Sequence, residues 1–301
     1  MNNWIKKGLI FSPNKEFDWL NSHAALPIPL KTKNEEIRIF FSSRNDENIA
    51  SVGFLDINIK EPKKIIRLNK KPVLTSGELG SFDDRGVMAH SVINKNGKLY
   101  LYYTGWNVGK NIPFHWSIGL ATSTDGGNTF QKKSNGPIMD RNHIDPYFVA
   151  SPTVLFEEDK WKMWYVSGLG WEETEGVKSS PYHIRYAESN DGINWERKGT
   201  ICIDFANKNE TRIGRAAILK ENNIYKMWYS YALEKYRMGY AESNDGINWE
   251  RKDSQSGIDV SHEGWDSEMI EYPSILEDND TKYMFYNGND YGKTGFGYAV
   301  L

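Results

Sequence analysis

The chain has 301 residues, with 37 Lys and Arg set against 40 Asp and Glu, a net charge of −3 and no block of like charges. That balance excludes the electrostatic footprint of a nucleic-acid binder and the basic patch of a membrane-surface protein. Its one cysteine, Cys202, excludes an intramolecular disulfide and a cysteine-based zinc site and reads as a small core residue, while 11 Trp and 17 Tyr suit both a sheet-rich fold and stacking on sugars.

The N-terminus, MNNWIKKGLIFSPNKEF, holds no apolar run long enough for a signal peptide or a membrane span, so the expected location is the cytoplasm. One pattern then recurs five times. AALPIPL is followed across a polar turn by IRIFFSSRN (37–45), GFLDIN and KKIIRLNKKPVLT. AHSVI precedes KLYLYYTGWN (98–107), GLATS and FQKKSNGPIM; SPTVL precedes KWKMWYVSG (160–168), RYAES and WERKGTICI. RAAIL precedes IYKMWYSYA (224–232) and GYAES, and YPSIL precedes TKYMFYNGND (281–290) and GFGYAV. Runs of this length fit strands, and no segment sustains a 3.6-residue period. The last unit lacks a fourth strand, but NWIKKG (3–8) matches NWERKG (194–199), so the N-terminal strand is expected to complete it. The expectation is an all-β, single-domain fold over 1–301, a five-bladed β-propeller whose ring is closed by that strand.

Residues 186–198 and 240–252 share the peptide YAESNDGINWERK. Its Asn-Asp-Gly supplies turn residues that tolerate positive φ, and its relative STDGGNTF (123–130) resembles the Asp-box turn of sialidases. The repeated peptide is therefore expected to be scaffold, with the chemistry in what is not repeated.

In a propeller the first strands line the central channel. Ser151-Pro152-Thr153 aligns with Tyr272-Pro273-Ser274, Ala89-His90-Ser91 and Arg215-Ala216-Ala217, and Ala25-Leu26-Pro27 is set on Tyr272-Pro273-Ser274. An Asp recurs seven residues before the Pro152 column, as Asp83, Asp145 and Asp266. Singular polar residues nearby are His23, Asp84, Arg85, His90, Arg215, Glu268 and Glu271, with Trp106 and Trp171 on loops after the second strands. Such groups converging on one channel end would make a binding site.

Five such units, the S-x-D-G-x-x-W turns, and phrases such as KLYLYYTGW, KMWYVSG and EYPSIL resemble the glycoside hydrolase superfamily of arabinanases, invertases and levansucrases, with the related mannoside phosphorylases. The resemblance implies acidic residues around a funnel, one carboxyl protonating the leaving oxygen while another activates water or attacks the anomeric carbon. The sequence departs from that pattern in its first unit, where NSHAALP offers His23 in place of an Asp, and in its second, where DDRGVMAH puts Asp84 and Arg85 out of register. Its Glu before an X-Pro pair is Glu271, ahead of Tyr272-Pro273.

Two functions remain open at this stage. As a glycosidase-like enzyme without cofactor or metal, the chain would use Glu271 as general acid and Asp84 or Asp145 as base or partner. His23, Arg85, His90, Trp106, Trp171, Arg215, Glu268 and Tyr272 would hold a small, anionic or nucleotide-linked sugar. As a noncatalytic carbohydrate-binding propeller, it would stack Trp106, Trp171 and Trp265 on sugar faces. Arg215 would serve as an anion clamp or as the ion-pair partner of Glu271. A carboxylate pair across an open pocket would favour the enzyme, and a single carboxylate paired to Arg215 would favour the binder.

Overall fold

The computed structural model describes residues 3–33 and 35–301. Strand β1 (Ile5–Phe11) precedes five antiparallel units. The first contains β2 (Ser22–Lys31), β3 (Glu36–Arg44), β4 (Ala50–Asn58) and β5 (Glu61–Leu68); the second contains β6 (Gly86–Lys95), β7 (Lys98–Asn107), β8 (His115–Ser123) and β9 (Gln131–Lys132). The third runs β10 (Val149–Glu157), β11 (Lys160–Gly168), then a separate hairpin of β12 (Glu172–Thr174) and β13 (Val177–Ser179), then β14 (Tyr182–Ser189) and β15 (Glu196–Ile203). The fourth has β16 (Arg212–Glu221), β17 (Ile224–Ala232), β18 (Tyr236–Ser243) and β19 (Glu250–Arg251), and the fifth β20 (Glu271–Asp278), β21 (Thr281–Asn287) and β22 (Phe296–Val300). No α-helix occurs among the described residues, as the absence of a helical period led us to expect. Nor is any helix among them long and apolar enough to cross a membrane.

β1 pairs antiparallel with β22, from Ile5 opposite Val300 to Phe11 opposite Phe296, as the NWIKKG match indicates. Side chains at equivalent places reinforce the outer strands of three units. In the second unit the Tyr103 hydroxyl donates to Asp83 at 3.1 Å and Lys132 donates to the same carboxylate at 2.6 Å. In the third, Tyr165, Arg185 and Arg197 all donate to Asp145 at 3.0 Å. In the fifth, Tyr286 donates to Asp266 at 2.9 Å and Lys6 of β1 at 2.7 Å. Asp83, Asp145 and Asp266 are all buried, and each ties a second strand to a fourth. This recurrence corrects the reading of Asp145 as a catalytic base: both its oxygens are already taken by two guanidiniums and a phenol.

Five larger apolar clusters hold the units together, each shared by two neighbours. The one joining the fifth unit to the first packs Phe11, Phe285, Phe296 and Tyr298 against Trp19, Ile37, Phe41 and Leu55. Cys202 is buried in the cluster between the third and fourth units, as expected of a small core residue.

The repeated peptide makes a tight turn after the third strands of the third and fourth units. Asp191 accepts from the amides of Ile193 and Asn194 at 2.8 Å, and Ser189 accepts from Gly192, whose φ of +74° needs a residue without Cβ. Asp245 makes the same bonds with Ile247 and Asn248. We expect Asp191→Ala or Asp245→Ala to lower stability by on the order of 1–2 kcal/mol, measured by urea denaturation, with ligand binding retained. Loss of binding at unchanged stability would contradict the scaffold role.

Candidate functional site

The site is built from one backbone irregularity repeated around the first strands. Each first strand bulges against its second strand, at Leu26, Ser151, Arg215 and Tyr272 with φ of +61°, +49°, +49° and +55°. The second unit bulges between Ala89 and Ser91. A left-handed residue inside a strand costs about 1–3 kcal/mol and persists only where its surroundings fix it. At four of the five bulges a polar side chain of an adjoining unit accepts the bulge amide: Ser42 from Ala89 at 3.0 Å, Thr104 from Ser151 at 2.9 Å, Ser230 from Tyr272 at 2.8 Å and Asn287 from Leu26 at 2.8 Å. Leu26, rather than Ala25, therefore shares the column of Tyr272, one residue away from the alignment expected from sequence. Ala25 instead pairs with Ser42 as Glu271 pairs with Asn287.

The bulges surround a cavity of about 420 Å³ to which all five units contribute. Ala25, Met88, Ala150 and Gly214, the column mates of Glu271, all line it, as do His90, Trp106, Arg215 and Tyr272 among the residues selected from sequence. Glu271 lies just behind this wall, fully buried, and neither of its oxygens has a hydrogen-bond partner among the described residues. Burial holds its carboxyl well above the usual carboxylate range, against the opposing pull of Tyr272 and Arg212. Tyr182, Tyr236, Tyr272 and Tyr291 form the adjacent wall, with the Tyr182 and Tyr236 hydroxyls bonded to each other.

Arg215 does not pair with Glu271. Its guanidinium instead crosses from the fourth unit to the second and donates to the His90 carbonyl, while its Nε has no partner among the described residues. Burial brings its pKa down to about 9, and burial together with Arg215 keeps the His90 imidazole well below its usual range, hence neutral. Both His90 ring nitrogens are without a partner among the described residues.

Several candidates fall away from the cavity. Glu268 is exposed and ion-paired to Lys235 at 2.8 Å. Asp84 accepts from the Gly80 amide at 2.9 Å, and Arg85 reaches the Glu47 carbonyl, so neither is placed for chemistry here. His23 stands off the rim beside Ser22, its pKa pushed down to about 4 by burial, Arg44 and Lys293. Trp171 packs behind the wall against Phe114, at 4.9 Å between ring centroids, and Trp265 stacks on Tyr286. The expected carboxylate pair is therefore not assembled: no Asp or Glu among the described residues lines the cavity.

Sequence reasoning missed Arg44, Arg212 and the stacked pair Phe114 and Trp116, whose rings lie 4.0 Å apart and 15° from parallel. Arg44 closes β3 and Arg212 opens β16, places that read as ordinary strand ends. The one available signal was the column: Arg212 stands three residues before its bulge, as His23 does before Leu26. Among the described residues no three His, Cys, Asp or Glu side chains come together in a metal-binding group.

Residues 68–202 match the family model "Glycosyl hydrolases family 32 N-terminal domain". Over 298 residues, 99% of both chains, the sequence is 38% identical to "Uncharacterized protein MT1551" of Mycobacterium tuberculosis (strain CDC 1551 / Oshkosh). Among solved structures it is similar to a glycosyl hydrolase from Bacteroides ovatus, at 14% identity and a TM-score of 0.73, covering 100% of this chain and 93% of that one. It is also similar to the β-1,2-mannobiose phosphorylase from Listeria innocua, at 13% identity and a TM-score of 0.71, covering 100% and 97%.

Proposed function

The chain belongs to the family of the mycobacterial protein, and we propose that it is a divergent member of the propeller glycoside hydrolase superfamily and a glycosidase-like enzyme acting on a small anionic glycoside, with Glu271 as proton donor. In this reading the five units are the blades of one propeller domain, closed by β1, and the protein works on charged sugars in the cytoplasm. The observation that carries the proposal is Glu271: a buried carboxyl held protonated, among column mates that line the cavity, is what a general acid requires. Tyr272 and Arg212 line the cavity beside it, while Trp106, Phe114 and Trp116 offer aromatic faces to the sugar or its leaving group. With Asp84 and Asp145 committed elsewhere, the attacking group comes from outside the wall: an incoming anion bonds to the anomeric carbon as the glycosidic C–O bond breaks and Glu271 protonates the departing oxygen, or water does so and its released proton returns to the Glu271 carboxylate.

The absence of any carboxylate from the described lining also suits a noncatalytic sugar binder. A panel of neutral and phosphorylated aryl glycosides, with and without inorganic phosphate, separates the two readings. We expect release of the aryl alcohol from at least one member. Binding without release from any would establish the binder, and neither binding nor release would end the sugar reading.

A further inference from the structure

A guanidinium buried without a counter-charge is unstable unless something supplies one. Arg215 is 3% exposed, projects from a left-handed bulge across the channel, and has no carboxylate within ion-pair distance among the described residues. Beside it, His90 is equally buried with neither ring nitrogen bonded. The cavity around them presents Arg44 and Arg212, with Lys178 at its edge paired to Glu173 at 3.7 Å, and no acidic side chain among the described residues lines it. Unpaired polar groups in the wall of a cavity, under a concentrated positive potential, describe a receptor for an oxyanion.

We infer that the part of the cavity bounded by Arg215 and His90 is a subsite for a phosphate-class dianion, with Arg215 as its principal ligand and Arg44 and Arg212 adding charge from the walls. This deepens the functional reading above, since it specifies the anionic group in the same cavity. Phosphate fits better than carboxylate for two reasons. Several cations without an acid among them are poorly neutralised by one negative charge. A neutral imidazole presents one donor and one acceptor nitrogen, and a hydrogen-phosphate group has both oxygen acceptors and a hydroxyl to meet them, whereas a carboxylate can only accept. The planar fork of Arg215 suits two phosphate oxygens at once.

The phosphate can be free or esterified to the sugar, and calorimetric titration distinguishes the sources. Inorganic phosphate, glucose 1-phosphate, glucose 6-phosphate, acetate and glucose are titrated into the wild type, Arg215→Met, Arg215→Lys and Arg44→Ala. Binding of inorganic phosphate identifies the free anion, and binding of sugar phosphates alone identifies the ester. In either case Arg215→Met is expected to weaken binding by at least about tenfold, and Arg215→Lys, which keeps charge but loses the fork, by an intermediate factor. Without ligand, Arg215→Met is expected to melt no lower than the wild type, and phosphate is expected to raise the wild-type melting temperature only. Should Arg215→Met fail to fold, Arg215→Lys and Arg44→Ala carry the comparison. Wild type binding no phosphate species, or binding that is indifferent to all three substitutions, overturns the subsite. Turnover of a neutral glycoside without phosphate binding would remove the subsite and leave the enzyme, whereas phosphate binding without turnover of any glycoside would do the reverse.

Discussion

Glu271→Gln is expected to cut turnover of any glycoside the protein cleaves by roughly a hundredfold or more while leaving sugar affinity nearly unchanged. Glutamine keeps the shape and the buried position but has no proton to give. The largest loss should fall on substrates with basic leaving groups, because an aryl alcohol that departs unaided needs little protonation. The pH dependence follows from the direction of the shift. Burial raises the Glu271 pKa, so the acid keeps its proton to higher pH than an ordinary carboxyl and the wild-type rate falls as pH climbs through that raised value. The Gln variant should lack this alkaline limb. Stability has its own signature. A carboxyl whose folded pKa lies above its unfolded one stabilises fully below the unfolded value and progressively loses that contribution as pH rises toward the folded one. Glu271→Gln should therefore be no less stable than the wild type, with its relative advantage growing at alkaline pH. Wild-type turnover unchanged in Glu271→Gln would remove Glu271 as the acid.

Removing residues 1–11 is expected to abolish cooperative folding or bring the melting temperature down by many degrees. The deletion takes away β1, the pairing partner of β22, and exposes the edge of the last unit. It removes Trp4, which is 5% exposed and packs edge-on against Trp228 at 5.6 Å, together with the buried Ile10 and Phe11. Loss of one buried Trp costs about 3–5 kcal/mol. The deletion also strips Lys6 from Asp266, leaving a buried carboxylate with only Tyr286, which costs about 3–5 kcal/mol more. Together these rival the roughly 5–15 kcal/mol by which whole domains are stable. Lys6→Met isolates the ionic part and should lower the urea midpoint by itself, in a chain that still folds. A truncated protein with the full-length midpoint would show that β1 is dispensable.

The strand pattern was legible because each strand is a short apolar run bounded by turn residues, and local chemistry suffices to define it. The match between NWIKKG and NWERKG was legible for a related reason: Lys6 and Arg197 perform the same task, each closing a fourth strand onto a buried aspartate. The site was legible only in part. Glu271, His90 and Arg215 stood out as polar residues in otherwise small or apolar columns, and all three belong to or adjoin the cavity. Asp145 and Glu268 were acids at similar distances from first strands, and nothing local distinguishes them from Glu271. One is taken up by Arg185 and Arg197 and the other by Lys235 in solvent. Arg44 and Arg212 escaped notice because a strand end is where arginines commonly sit.

The sequence by itself determined the all-β character, the repeating four-strand unit and the partner of the N-terminal strand, since these depend on residues near one another in the chain or on matching short motifs. Only the tertiary structure decided the register of the first unit, the protonation of Glu271 and the positive charge of the cavity. Register rests on a hydrogen bond from Leu26 to Asn287, at opposite ends of the chain. Charge and protonation rest on which groups from five separate units share or adjoin one cavity. Electrostatic energy there depends on distance and burial rather than on order along the chain.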